Sequence, residues 1–104
     1  MPVVVVATMT AKPDAVDAVR DACTQAIGEV HNEPGCDLYT LQETNGTFVF
    51  VEQWADEDAL KTHSTAPAIG ALFGAVGDHL DGAPDIKMLK PVVAGDPAKG
   101  QLRS

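Results

Sequence analysis

The stretch CDLYTLQETNGTFVFVEQW, residues 36–54, decides the fold. It contains two segments rich in β-branched and aromatic residues, and the dipeptide Asn45-Gly46 separates them. Asn-Gly between two apolar segments is the strongest short-range signal of a β-hairpin, because both residues accept the positive φ angles of a tight turn. The sequence therefore predicts two antiparallel strands joined at this turn, with Trp54 at the end of the second strand.

The segments before the hairpin predict a strand and a helix. VVVVATM, residues 3–9, is a β-branched run that is typical of a buried strand. Apolar residues then recur at spacings of three and four between residues 16 and 30, which indicates an amphipathic helix. Pro13 is expected in the first turn of this helix, where its missing N–H costs nothing.

The segments after the hairpin predict a helix in two pieces and a last strand. Asp56 is a candidate N-cap for a helix that carries His63, and Pro67 is expected to break that helix and begin a second piece. IKMLKPVV, residues 86–93, predicts a strand. We expect the domain to cover residues 3–93 and the tail, residues 94–104, to be mobile.

This order of elements is β-α-β-β-α-β, an α+β arrangement of the ferredoxin-like type with a four-stranded antiparallel sheet. Its two helical segments cover one face of the sheet and leave the other face open. Because the strands carry apolar residues on both faces, the open face would be a large apolar patch that a soluble monomer rarely tolerates. We therefore predict a homodimer whose sheets pack face to face and enclose a space for a small ligand.

Composition and charge exclude several classes of function. The 104 residues include 7 basic and 15 acidic side chains, a net charge of −8, and the basic residues are scattered. A nucleic-acid partner is therefore not expected. The longest aliphatic run, VVVVA, is too short to cross a membrane, and no secretory leader is visible, so we expect a cytoplasmic protein.

Motifs for cofactors and metals are also missing. The sequence has no glycine-rich dinucleotide or phosphate loop, no paired-cysteine motif and no HExxH, and its three histidines are dispersed. We therefore expect an activity, if there is one, that needs neither a metal nor a cofactor.

Three segments together resemble the antibiotic biosynthesis monooxygenase family: NEPGC (32–36), FVFVEQWADEDALKTHSTAP (48–67) and the closing KMLKPV (87–92). The resemblance extends over about residues 3–93 and implies a dimeric α+β barrel. Members include cofactor-free monooxygenases of aromatic polyketides and quinols, isomerases of small carbonyl compounds, and haem-degrading enzymes. The asparagine and tryptophan that haem-degrading members carry on the first strand and second helix are missing here, so haem chemistry is not expected.

The resemblance implies a cofactor-independent monooxygenase that oxidises a phenolic, polycyclic aromatic or quinol-type small molecule with O2. A cofactor-free isomerase and a non-catalytic dimer that binds a small ligand are the alternatives, and the sequence does not separate them. All three functions need a small apolar cavity with a few polar groups.

Three residues are candidate catalytic groups. His63 is the candidate base, because imidazole titrates near neutral pH. Trp54 could donate its indole N–H to an oxyanion, and Glu52, on the same strand face, could orient His63 or bridge a dimer. Each also has a structural interpretation, as a satisfied histidine, a core tryptophan and an interface ion pair. The predicted substrate-binding residues are Tyr39, Phe50, Phe73 and Met88, with ordinary core packing as the alternative.

Overall fold

The computed structural model describes residues 1–104. Four strands, three helices and one short 3-10 turn follow one another in the predicted order. The elements are β1 (Val3–Thr10), α1 (Val16–Val30), β2 (Cys36–Thr44), β3 (Thr47–Trp54), α2 (Glu57–Ser64), α3 (Pro67–Val76), the 3-10 turn Gly77–His79 and β4 (Asp85–Leu89).

The four strands form one antiparallel sheet in the order β2-β3-β1-β4. This is the ferredoxin-like β-α-β-β-α-β topology that the sequence predicts. The two central strands, β1 and β3, pair along their full length, from Val3 opposite Trp54 to Thr10 opposite Thr47. None of the helices is both long enough and apolar enough to span a membrane.

The hairpin between β2 and β3 is confirmed at the predicted residues. Asn45 and Gly46 have φ angles of 47° and 81°, and Thr44 pairs with Thr47 directly across the turn. Two consecutive positive φ angles match the right-handed twist of the strands, which is why this short turn fixes the register of the hairpin.

The first helix begins later than the sequence predicts. Pro13 lies in a turn closed by a hydrogen bond from the Ala15 N–H to the Lys12 carbonyl, 2.9 Å, and the helix starts at Val16. Proline at the second position of such a turn is favoured because its φ angle is already fixed there. The buried side of α1 consists of Val19, Cys23, Ala26 and Val30, which belong to the predicted stripe.

The break between the second and third helices is confirmed. The Asp56 carboxylate accepts a hydrogen bond from the Ala59 N–H at 2.8 Å and so caps α2, as predicted. Helix α2 ends at Ser64, and Pro67 opens α3 as its first residue. The short connection allows α2 and α3 to change direction over the sheet.

The last strand is shorter than the predicted 86–93 and ends at Leu89. Leu89 pairs with Val4, and β1 begins at Val3, so β1 offers almost no partner to the residues that follow Leu89. Pro91 also lacks the N–H that a ladder needs. The tail beyond β4 returns to the sheet. There the Arg103 N–H donates to Gln53 Oε1 at 3.3 Å, and Gln53 Nε2 donates to the Arg103 carbonyl at 3.2 Å.

The core lies between the sheet and the helices. Residues that are directly opposite across the strands share a face, so Val5, Glu52 and Tyr39 point the same way, towards the helices. The largest fully buried side chains on this face are Phe48, Phe50 and Trp54. The opposite face carries half-buried aliphatic residues and no helix.

Candidate functional site

A cavity of about 200 Å³ lies between the sheet and the helices α2 and α3. Most of its wall is apolar, and its polar side chains are Tyr39, Glu52, His63 and Ser64. The cavity therefore lies within one chain, on the helix-covered face of the sheet. The sequence predicts an enclosed space between two facing sheets of a dimer, and that space stays a prediction. The cavity seen here is a separate one, open where the helices do not close completely over the strands.

The structure brings most of the predicted site residues together. Tyr39, Phe50, Glu52, His63 and Phe73 all line the cavity. Trp54 lies behind the wall, fully buried, with its ring centroid 4.3 Å from that of His63.

Met88 is the predicted site residue that the structure does not place in the cavity. It is 70% exposed and lies on the edge strand β4, outside the cavity wall. It faces the same side as Val5, its neighbour across the ladder. Ile86, two residues earlier on β4, lines the cavity instead, so a role of Met88 in substrate binding stays a prediction.

His63 is held by a carboxylate that the sequence analysis did not assign to the site. The Nδ1 atom of His63 lies 2.7 Å from Oε1 of Glu33, in the loop that follows α1. A carboxylate oxygen only accepts hydrogen bonds, so Nδ1 carries the proton and donates it to Glu33. In the neutral form of the ring, Nε2 is then the acceptor, on the side of Glu52 and the cavity.

Gly35 allows the loop that carries Glu33 to come close to His63. Gly35 has a φ angle of +76°, and a Cβ at this position would lie 2.5 Å from the Cβ of Ala59 in α2. The loop therefore approaches α2 closely only because residue 35 has no side chain. The Ala55 N–H also donates to the Gly35 carbonyl at 2.8 Å, which ties the loop to the end of β3.

Glu52 is a buried carboxyl group at the same end of the cavity. Its Oε1 accepts a hydrogen bond from the indole N–H of Trp54 at 2.9 Å and lies 3.9 Å from His63 Nε2. The indole donor is thus engaged by Glu52. The sequence prediction that this N–H serves an oxyanion requires that bond to break, so a supporting role for Trp54 fits the geometry better.

The pKa of Glu52 is raised from its ordinary value of 4.5 to about 7: burial raises it most, the hydrogen bond from Trp54 opposes this rise, and the nearby charge of Glu33 adds a smaller one. Burial acts first because a carboxylate loses its hydration in an apolar wall. With a pKa near neutrality, Glu52 can hold or release a proton at physiological pH.

Tyr39 supplies a neutral hydroxyl to the cavity. Burial, followed by the charge of Glu52, raises the pKa of Tyr39 far above the physiological range, so its phenol keeps the proton. Its ring contacts both Phe50, with centroids 4.9 Å apart, and His63, with centroids 5.6 Å apart. These contacts fix the ring, and the hydroxyl can donate a hydrogen bond to an oxygen atom of a ligand.

The cluster therefore contains a proton acceptor, a proton-holding carboxyl group and a neutral donor beside an apolar cavity. Every fully buried side-chain nitrogen and oxygen atom has a hydrogen-bond partner. No group of three or more His, Cys, Asp and Glu side chains is arranged to hold a metal ion. Such a set of groups can move protons to and from a bound small molecule.

Comparison with known proteins identifies the family. The sequence profile described as "Antibiotic biosynthesis monooxygenase" matches residues 2–74, more than half of the chain. The chain belongs to this family. Family membership supports a monooxygenase-like function in general terms. Among curated proteins, no sequence matches the chain.

Several solved structures have the same fold. The Mycobacterium tuberculosis protein Rv0793 is 28% identical, with a TM-score of 0.85, over 92% of this chain and 100% of its own. A Caulobacter crescentus protein, provisionally named an antibiotic biosynthesis monooxygenase, is 32% identical with a TM-score of 0.82, over 88% of this chain and 90% of its own. A conserved Methanosarcina mazei protein is 25% identical with a TM-score of 0.81, over 86% of this chain and 92% of its own.

Proposed function

We propose that the protein is a cofactor-independent monooxygenase that oxidises a phenolic or quinol-type small molecule with O2. The observation that carries this proposal is the Glu33–His63 pair, with 2.7 Å between Oε1 and Nδ1, at the polar end of an apolar cavity. A carboxylate that holds one imidazole nitrogen leaves the other as a base for a substrate hydroxyl. Family membership supports the same class of reaction.

The first step is removal of the substrate proton. A hydroxyl group at the polar end of the cavity gives its proton to His63 Nε2, and the Glu33 carboxylate stabilises the resulting imidazolium. The Tyr39 hydroxyl donates a hydrogen bond to the new phenolate oxygen. The apolar wall keeps water away, so the phenolate retains its high electron density.

The substrate then supplies all the electrons for the reaction with O2. Ground-state O2 usually needs a metal or flavin as the source of single electrons, but a deprotonated phenol or quinol can provide them itself. Oxygen bonds to a ring carbon that carries hydrogen, and the resulting peroxide takes the proton that His63 holds. The ring C–H bond and the O–O bond then break, one oxygen atom stays on the ring as a carbonyl, and the other leaves as water after a second protonation; the ring proton returns to the carboxylate that supplied this second proton. Glu52, with a pKa near 7, can deliver the proton that this departure requires.

Oxygen consumption tests the proposal. We expect the purified protein to take up O2 with a small quinol in the presence of a chelator, and His63→Ala to lower the rate by about 10²–10⁴-fold. The rate of the His63→Ala protein also measures background autoxidation. Equal uptake by both proteins would contradict the proposal, and so would a flavin or haem absorption band in the active protein.

A second candidate function is proton transfer in a small carbonyl compound. The observation that favours it is the distance of 3.9 Å between His63 Nε2 and Glu52 Oε1, which places two proton-handling groups side by side. An isomerase needs one group to remove a proton next to a carbonyl and another to return it. Isomerisation without oxygen uptake would move the assignment to this function, and ligand binding without either reaction would indicate a binding protein.

We also propose that two chains associate through the open sheet face. That face carries the half-buried aliphatic side chains Val4, Val6, Leu38, Val49 and Val51. Val51→Lys places a charge in the middle of this surface and should give a monomer in sedimentation. Gln25→Lys, on the exposed side of α1, is the matched control and should remain a dimer. A parent protein that is monomeric at micromolar concentration would contradict this proposal.

A further inference from the structure

The cavity has a closed inner end and an open outer end. Tyr39, Glu52 and His63 at the inner end are buried, with 3%, 4% and 6% of their surfaces exposed. The outer end is formed by Phe73 of α3, 38% exposed, and by Ile86 of β4, 55% exposed. A ligand therefore enters past Phe73 with its polar group ahead of its ring.

The volume sets a limit on the size of the ligand. A dry apolar cavity of about 150 Å³ holds one benzene ring, and pockets for drug-sized molecules begin at about 300 Å³. The present cavity, at about 200 Å³, lies between these two sizes. It therefore accommodates one substituted ring or two fused rings, and Phe73 stands at the mouth where a third ring would have to lie.

The charges around the cavity disfavour an anion. No lysine or arginine side chain lines it, and the carboxyl groups of Glu52 and Glu33 lie at the inner end, where only His63 can carry positive charge. The whole chain has a net charge of −8. A ligand that arrives as a neutral hydroxyl compound avoids this repulsion and forms its charge only after His63 has accepted the proton.

We infer that the cavity selects uncharged hydroxyarenes of one or two rings, and that Phe73 at its mouth is the residue that sets this limit. The inference rests on the proposed function, in which the bound hydroxyarene is the substrate.

Phe73 suits this role because its side chain can be changed without breaking the core. It is partly exposed, whereas Leu72 and Val76 provide the buried side of α3. Phe73→Ala therefore enlarges the mouth at little cost to folding, and a longer ring system can extend outward.

Binding is tested without turnover, in oxygen-free buffer at neutral pH. Trp54 is the only tryptophan and donates to Glu52 beside the cavity, so its indole ¹H–¹⁵N signal reports occupancy. The titrants are phenol, 2-naphthol, the three-ring 9-phenanthrol and the anion 2-naphthoate. We expect phenol and 2-naphthol to shift the signal, and the other two to bind at least about tenfold more weakly than 2-naphthol.

Two variants and a control make the test specific. Phe73→Ala should bring 9-phenanthrol to within about threefold of 2-naphthol, and Glu52→Gln should reduce the difference between 2-naphthoate and 2-naphthol. Leu89→Ala, on β4 outside the cavity, should leave the order of affinities unchanged. Equal binding of two-ring and three-ring compounds by the parent, no binding of any arene, or no effect of Phe73→Ala would overturn the inference. Binding as expected without oxygen uptake would instead overturn the proposed monooxygenase and leave the selectivity intact.

Discussion

Glu33 and His63 are 30 residues apart in the chain, and their Oε1 and Nδ1 atoms lie 2.7 Å from each other. Glu33 stands in the loop after α1, and His63 stands in the last turn of α2. The contact therefore joins two elements that meet only when both are packed over the end of the hairpin. It fixes the orientation of the His63 imidazole ring.

Glu33→Gln should show how much the negative charge of Glu33 contributes to turnover. Glutamine can still accept the hydrogen bond from Nδ1 but does not stabilise an imidazolium. We expect kcat/KM to fall by about 10–100-fold, part of the roughly 10²–10⁴-fold that a positioned proton acceptor provides. Glu29→Gln, on the exposed side of α1, is the control, and equal activities of the two variants would rule out this role for Glu33.

Glu52→Gln should change how stability depends on pH. The pKa of Glu52 rises from its ordinary value of 4.5 to about 7 on folding, chiefly through burial. Between these values the folded chain holds a proton that the unfolded chain releases, so the free energy of unfolding falls as pH rises. In the parent, this fall in the free energy of unfolding amounts to at most about 3 kcal/mol, and the variant, which has no carboxyl group at residue 52, does not show it.

Urea unfolding of both proteins at pH 5 and pH 8 measures this difference. Glutamine keeps an oxygen for the Trp54 N–H, so the variant should be relatively more stable at the higher pH. A parent and a variant that change in parallel between the two pH values would show that Glu52 does not titrate in this range.

Trp54→Phe should raise the pKa of Glu52. The indole N–H stabilises the ionised carboxylate, so its removal leaves burial unopposed. ¹³C NMR of the glutamate side chains should show the Glu52 titration at a higher pH than in the parent, and turnover should shift in pH without being abolished. A folded variant with no turnover at any pH would support the role in oxyanion binding that the sequence suggested.

Gly35→Ala should damage both stability and the site. The φ angle of +76° is strained for alanine, and the new Cβ would meet the Cβ of Ala59 at 2.5 Å. We expect a loss of about 1–3 kcal/mol and lower turnover, because the loop that carries Glu33 must move away from α2. Gly28→Ala in α1, where nothing lies within 4 Å, should be stabilising by about 0.5–1 kcal/mol. Unchanged activity of Gly35→Ala would show that the position of this loop does not matter.

The sequence predicts features whose causes are local. The Asn45-Gly46 turn, the Asp56 cap and the Pro67 helix start all depend on residues within a few positions of each other, and all three are confirmed. The end of β4 was predicted wrongly because it depends on where its partner β1 begins, which is distant in sequence.

The site is predicted only in part for the same reason. Phe50, Glu52 and His63 follow from strand alternation and from the family resemblance. Glu33 was present in the family segment NEPGC but received no role, since its contact with His63 exists only in three dimensions. Met88 lies outside the cavity, and the sequence does not show this because it does not say how far the helices extend over the edge strand.

Turnover of a two-ring quinol under ¹⁸O2 tests the central claim most directly. If the Glu33–His63 pair generates a substrate anion that reacts with O2, mass spectrometry should find one labelled oxygen atom in the organic product and the other in water. Both variants should lower the rate of labelling, and His63→Ala should lower it more than Glu33→Gln, as expected for their activities. A product without label, or a labelled product formed equally fast by His63→Ala, would contradict the account.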